Sequence, residues 1–462
     1  MSHTLGGLAP GLPATLAVPL AERLARTAAP SDGRDGPAGG AAEIADWEQR
    51  ADARYRACAE LRPSFGDGLR VGVKDTVDVA GFATRLGLPG YRHYPERTAA
   101  VLAGLPHGSV NAKLVTTELS IGLEHGCLNP YFPHLDPGGS STGCAVAVAA
   151  GICDLAMGTD TVASVRLPAG ACGVVGLRLT HDRRLLSGLF GLSDHLDAPG
   201  WITRTVDDLA HLWERLPLDG GLRAQDGGAP GPRSRYRIGV VREGLDPDTE
   251  PVVAAAFDEA LRGAARAGHT LVDVRLDELF HRRGLAYELC AREAWDNFLP
   301  VREAVGERLS GTTLAALESG ARVGEGRYRE LLDLHREQRG LAALRFARDG
   351  ADVWLMPAGT LLPRNIHTEP APASTIPDPA ETAKSPHVNY AAVASFAGLP
   401  AITFPIGHSA EHDAPICLQA IGPAHSEAAL IDLARRVTEL TGGVRFTPAD
   451  PPLPEGVLGR LR

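Results

Sequence analysis

Lysine is nearly missing from this chain: Lys74, Lys113 and Lys384 stand alone among 46 basic side chains, and every other one is arginine. Arginine keeps its proton in a protein, whereas a buried lysine can lose it, so the few places where lysine survives are candidates for proton-transfer chemistry. Paired cysteines are missing too. The seven cysteines, Cys58, Cys127, Cys144, Cys153, Cys172, Cys290 and Cys417, form an odd, scattered set with no CxxC pair and no histidine at zinc-ligand spacing. That pattern argues against a disulfide framework or a structural zinc and for reduced, mostly buried thiols. Long apolar runs are absent as well: AVAVAAGI, residues 145–152, falls well short of the roughly 20 residues of a membrane helix. The net charge of −10 is spread along the chain with no basic stripe, which excludes nucleic acid and an anionic membrane as expected partners. No basic region precedes the weakly apolar N-terminal stretch, so a secretory signal is not expected and the cytoplasm is the expected location.

What remains is ample material for a core. At 462 residues and 44% apolar, the chain can build one large domain or two ordinary ones. Apolar positions three and four residues apart predict an amphipathic helix over 42–61, within an N-terminal helical arm of residues 1–62. LRVGV (69–73) reads as a short buried strand with Lys74 at its end, and HGSVNAKLV (107–115) as another. A Gly-rich turn then feeds a helix of small residues and a further short strand. A Gly/Pro/Arg loop near 219–235 separates this half from a second that opens with the strand RIGVV (237–241). After it come a helix near 252–267, a strand near 269–276, long helical patterns over 279–349, strands at 352–357, 401–405 and 415–422, and a closing helix stopped by Gly442. Strands alternating with helices give an α/β fold: a mixed central sheet covered by helices on both faces, within a single domain over 63–462.

None of the 16 histidines lies in a recognisable Ser/His/Asp context. GSSTG, residues 139–143, fits a nucleophile elbow around Ser141, but the preceding YFPHLDPGG is a poor strand for one. Ser141 and Thr142 read instead as turn residues or helix caps. Asp160 and Arg166 read as a structural ion pair, Lys113 as a structural or surface lysine, and His125 and His134 as polar loop residues.

A stronger pattern joins Lys74, Ser140 and Ser164. VGVKD (71–75), PGGSSTG (137–143) and GTDTVASVRLPAG (158–170) resemble, in order, the three catalytic segments of the amidase signature family. NYAAVASFAGLPAITFPIG (389–407) and PICLQAIG (415–422) resemble its second-half signatures. The resemblance implies that Ser164 is the nucleophile, that Ser140, preceded by a cis peptide, relays its proton, and that Lys74 is the terminal base. The backbone N–H groups of Thr161, Val162, Ala163 and Ser164 would form the oxyanion hole. Elementary electrostatics agrees, since a buried lysine drops its pKa and can rest neutral. The resemblance implies an amidohydrolase acting on a small-molecule amide, with no metal and no organic cofactor, and it leaves room for a homodimer.

The chain departs from the family at Val162 and Ala163, where glycines or small residues are usual, and at Thr142 and Cys144. If the loop needs a positive φ, a β-branched residue there costs on the order of 1–2 kcal/mol. The bulk of Val162 suggests a compact acyl group. The altered loop keeps open a non-catalytic, amide-binding or scaffolding relative; a second alternative, the amidase subunit of a glutamine-dependent amidotransferase, is implied by the family itself, and the departures at Val162 and Ala163 speak against it.

Overall fold

A computed structural model describes residues 12–28, 38–64, 68–222, 231–241, 249–305, 309–376 and 390–446; Lys384 and residues 223–230 of the Gly/Pro/Arg loop lie outside them. Eleven strands form one sheet among the described residues. In chain order they are β1 (Cys58–Leu61), β2 (Val71–Lys74), β3 (Val110–Leu114), β4 (Leu155–Asp160), β5 (Val175–Arg178) and β6 (Ala198–Thr203) in the first half. The second half adds β7 (Arg237–Val241), β8 (Thr270–Val274), β9 (Val353–Pro357), β10 (Ala401–Ser409) and β11 (Ala414–Ile421). The order across the sheet is β1-β3-β2-β4-β6-β5-β10-β11-β9-β7-β8. Parallel pairs (β2 with β3 and β4, β7 with β8 and β9) stand among antiparallel ones, so the sheet is mixed.

The two halves of the sequence meet in this sheet, where β5 pairs with β10 through Ala401 and Arg178. Helices cover the sheet, and two of them are buried along their whole length: Ala391–Ala397 and Thr142–Ala149, the latter made of small residues, as its composition predicts. A Cβ on Gly143 would sit 2.4 Å from the Ala57 carbonyl oxygen, so only glycine lets this helix approach so closely. A second apolar core, including Leu192, Tyr287, Phe298, Leu317 and Phe396, packs the helices Leu285–Val305, Gly311–Ala321 and Glu325–Asp349 against the rest. Among the described residues no helix is long and apolar enough to cross a membrane.

Three local expectations change. The helix expected over 42–61 runs over Ala38–Tyr55 and stops there, because Arg56 turns to φ +55° and the Asp52 carboxylate accepts the Cys58 N–H at 2.8 Å. Cys58–Leu61 then becomes the edge strand β1, inside the segment expected to be helical. Lys74 is the last residue of β2 rather than the first beyond it. Finally β5 and β6, two central strands, are additions that the periodicity did not signal.

Candidate active site

Parallel strands end on the same side of a sheet, and this brings Lys74 at the end of β2 beside Thr159 and Asp160 at the end of β4. Strands on both sides bury Lys74 completely. Its Nζ donates to Ser140 Oγ at 2.8 Å and to Thr159 Oγ1 at 2.9 Å. Burial pulls the ammonium down to about 8, while the Asp197 and Asp160 carboxylates resist the fall.

Ser140 follows a cis Gly139-Ser140 peptide on the turn before the small-residue helix. Thr142 Oγ1 donates to the Gly138 carbonyl at 2.6 Å, within the same turn. Ser141 does more than either role expected of it. Its N–H donates to the Ser164 carbonyl at 3.1 Å and its hydroxyl to the Thr159 carbonyl at 3.2 Å, bracketing the Ser140 and Ser164 segments together. Fully buried, it presents no hydroxyl to a cavity, which removes the elbow reading. Gly158 makes the bracket fit, since a Cβ there would lie 2.7 Å from Ser141 Oγ.

Beyond β4 the chain forms a tight loop, 161–165, and enters the short helix Arg166–Ala171. Asp160 organises it. Its carboxylate accepts the N–H of Ala163 at 3.0 Å and of Val165 at 3.3 Å, Arg166 Nε and Nη2 at 2.9 Å each, and Arg178 Nη1 at 3.0 Å. Burial alone would raise this carboxyl; the two guanidiniums outweigh it and hold it well below the usual carboxylate range. Arg166 also reaches Gln419 Oε1 at 2.6 Å and the Ala391 carbonyl at 2.9 Å, so the expected ion pair doubles as a tie between the halves. The left-handed residue in the loop is Ala163, at φ +77°; Val162 escapes that conformation.

Half-buried Ser164 opens onto a cavity of about 780 Å³ that Ser140 also lines. Among the described residues its hydroxyl has no hydrogen-bond partner, and no bond joins it to Ser140. Val162, Tyr287, Ile376 and Cys417 contribute to a mainly apolar wall. Val162 therefore does not make the site compact; it leans on the second apolar core and leaves space for a ligand of ordinary size. The charged side chains on this wall are already paired, Asp136 with Arg364 and Arg166 with Asp160, and His125 Nε2 lies 3.5 Å from Asp136. His125 thus faces the cavity, whereas His134 contacts the His412 carbonyl at 3.3 Å.

Lys113 is structural and buried rather than a surface residue. Its Nζ donates to the Val77 carbonyl and to Thr84 Oγ1 at 3.2 Å and lies 3.4 Å from Asp75. Thr161 Oγ1 donates to Asp197 Oδ1 at 2.6 Å, a contact that no local motif signals because the partners are 36 residues apart. Burial pushes this Asp197 carboxyl up to about 6. Among the described residues no group of three or more His, Cys, Asp or Glu side chains is placed to hold a metal ion.

Residues 41–431 match the family model described as Amidase. The 2-amino-5-chloromuconic acid deaminase of Comamonas testosteroni is 33% identical over 408 residues, 84% of each chain. A glutamyl-tRNA(Gln) amidotransferase subunit from Deinococcus radiodurans is 32% identical over 82% of this chain and 85% of its own. In three dimensions a substrate complex of 6-aminohexanoate cyclic dimer hydrolase shares the fold, with a TM-score of 0.77 at 21% identity, over 93% of this chain and 99% of that one. A crystal structure of an amidase matches with a TM-score of 0.72 at 26% identity, over 91% and 98%. With Ser140 and Ser164 on one cavity, Lys74 bonded to Ser140, and a family match spanning most of its length, this chain belongs to the amidase family.

Proposed function

We propose that the protein is an amidohydrolase that cleaves an uncharged carboxamide through a serine acyl-enzyme. The observation that carries the reading is the 2.8 Å bond between the buried Lys74 Nζ and Ser140 Oγ, on a cavity that Ser164 also lines. In this reading Ser164 Oγ attacks the carbonyl carbon, its proton passes to Ser140 Oγ, and the Ser140 proton passes to neutral Lys74. The N–H groups of Thr161, Val162 and Ser164 stabilise the oxyanion; that of Ala163 is engaged by Asp160. The proton returns along the same path to the leaving nitrogen as the C–N bond breaks. Water then attacks the ester by the same relay and releases the acid.

Paired wall charges and the apolar lining favour a neutral substrate with a sizeable apolar acyl part over an acidic or basic one. The test is intact-protein mass after exposure to a fluorophosphonate probe, with peptide mapping. A single adduct on Ser164 that is lost in Ser164→Ala and in Lys74→Ala is expected; a folded protein with no adduct would overturn the reading. Screening neutral amides of increasing acyl length against their ω-carboxylate analogues tests the substrate class, with the neutral series expected to turn over faster.

A second reading, the amidase component of a glutamine-dependent amidotransferase, rests on the 32% identity to glutamyl-tRNA(Gln) amidotransferase subunits from two organisms. Glutaminase activity together with co-purification of a second polypeptide would favour it.

A further inference from the structure

We infer that Asp197 is a positioning residue for this reaction, holding the first half of the Thr161–Ser164 loop in place through the Thr161 hydroxyl. The inference rests on the reading of Ser164 as nucleophile. The strand register puts the two residues together: Asp160 pairs with Ala198 across β4 and β6, so Thr161 and Asp197 face each other one step beyond the ladder. There the backbone pairing ends and a side-chain bond takes over, Thr161 Oγ1 to Asp197 Oδ1 at 2.6 Å. Threonine is branched at Cβ and stiff at χ1, so fixing its hydroxyl also fixes its backbone. The peptide planes on either side of Thr161 carry two of the proposed oxyanion donors.

The carboxylate is itself held. Its second oxygen accepts the Leu192 N–H at 2.7 Å, its own N–H donates to the Ser193 carbonyl at 3.0 Å, and the residue is 3% exposed. Behind it, Ser193 Oγ donates to Glu293 on the helix Leu285–Val305, and Tyr328 OH donates to the same carboxylate at 2.7 Å. A continuous polar chain therefore runs from the helical region through Ser193 and Asp197 to the loop.

This loop needs two anchors because its sequence gives it little help. Asp160 holds the second half, through the N–H groups of Ala163 and Val165. Ala163 at φ +77° is held in a region that favours glycine, so a loop freed at Thr161 can relax and turn its amides away.

The test compares Thr161→Val, Thr161→Ser and Asp197→Asn with the wild type by the second-order rate of fluorophosphonate labelling at Ser164, and by kcat and KM on a neutral amide. Removing a whole oxyanion donor costs about 10²–10³-fold, so misaiming one is expected to cost roughly tenfold or more in labelling and in kcat, with KM changed less than about threefold. Thr161→Ser, which keeps the hydroxyl, is expected to stay within about threefold of wild type, the rescue that a purely space-filling role would not give. Wild-type labelling in Thr161→Val, or an equal loss in Thr161→Ser, overturns the inference. If Asp197→Asn fails to fold, the threonine pair decides the matter. Absence of labelling in the wild type overturns the reading of Ser164 first, and the positioning role with it.

Discussion

The Ala163 N–H and the Asp160 carboxylate lie 3.0 Å apart, and at Ala163 the backbone is left-handed, at φ +77°. The bond and the dihedral belong together, because the carboxylate draws an amide inward that would otherwise point along the loop. A β-branched side chain at that φ is strained. Ala163→Val is therefore expected to lose about 2 kcal/mol, within the usual 1–3 kcal/mol for a non-glycine residue so held, whereas Ala163→Gly is expected to stay within about 1 kcal/mol of wild type. Urea unfolding monitored by circular dichroism measures both.

Activity is expected to rise with pH through about 8. In the proposed mechanism the base is the neutral amine of Lys74, which burial lowers to about 8, so the competent fraction grows as pH increases and levels off above that value. A kcat/KM profile reads the midpoint directly. Lys74→Arg cannot shed its proton, so its profile is expected to be flat and lower by at least about 10²-fold.

The Asp160 cluster is expected to govern acid stability. Its carboxyl titrates below the ordinary value of 3.8 in the folded protein, so the stabilisation it gives is complete above that pH and is lost as the pH falls through the lower, folded value. Asp160→Asn leaves Arg166 and Arg178 buried without their counter-charge and is expected to cost about 3–5 kcal/mol at neutral pH. Denaturant melts at neutral pH and at pH 3 separate the two effects, since the penalty is expected to shrink in acid.

The native protein is expected to resist alkylation. Burial pushes up all seven thiols, Cys144 and Cys417 to about 12, so few thiolates exist at pH 8 even for Cys417 on the cavity wall. Iodoacetamide followed by mass measurement should add almost nothing to the folded chain and seven groups to the unfolded one.

The residues of the candidate site were readable where chemistry is local. A lysine closing a buried strand, a Gly-Ser turn feeding a helix of small residues, and an acid and arginine six apart each show in a short window. Residues 42–61 misled because the three-four spacing runs on through Cys58 and Leu61, and only the turn at Arg56, fixed by Asp52, breaks it. Strand β6 hid for another reason: it carries Pro199 and Gly200 in a central position between β4 and β5, where proline is rarely accommodated, and pairing on both sides overrides local preference. The Ser141 bracket and the Thr161–Asp197 bond are long-range contacts. So is the width of the cavity, whose walls include Ile376 and Cys417, more than 200 residues from Ser164.

That β5 lies against β10 sets a condition on biosynthesis. A ribosome delivers Lys74, Ser140 and Ser164 early, yet the strand that completes their side of the sheet emerges only with residues 401–409, after some 220 further residues have been made. Until then β5 offers an open edge to any other strand, the situation in which nascent chains aggregate. Pairings this distant in sequence also form slowly. The site is thus finished late, and a chain stalled or cut before β10 would carry Lys74, Ser140 and Ser164 without the strand that pairs with β5.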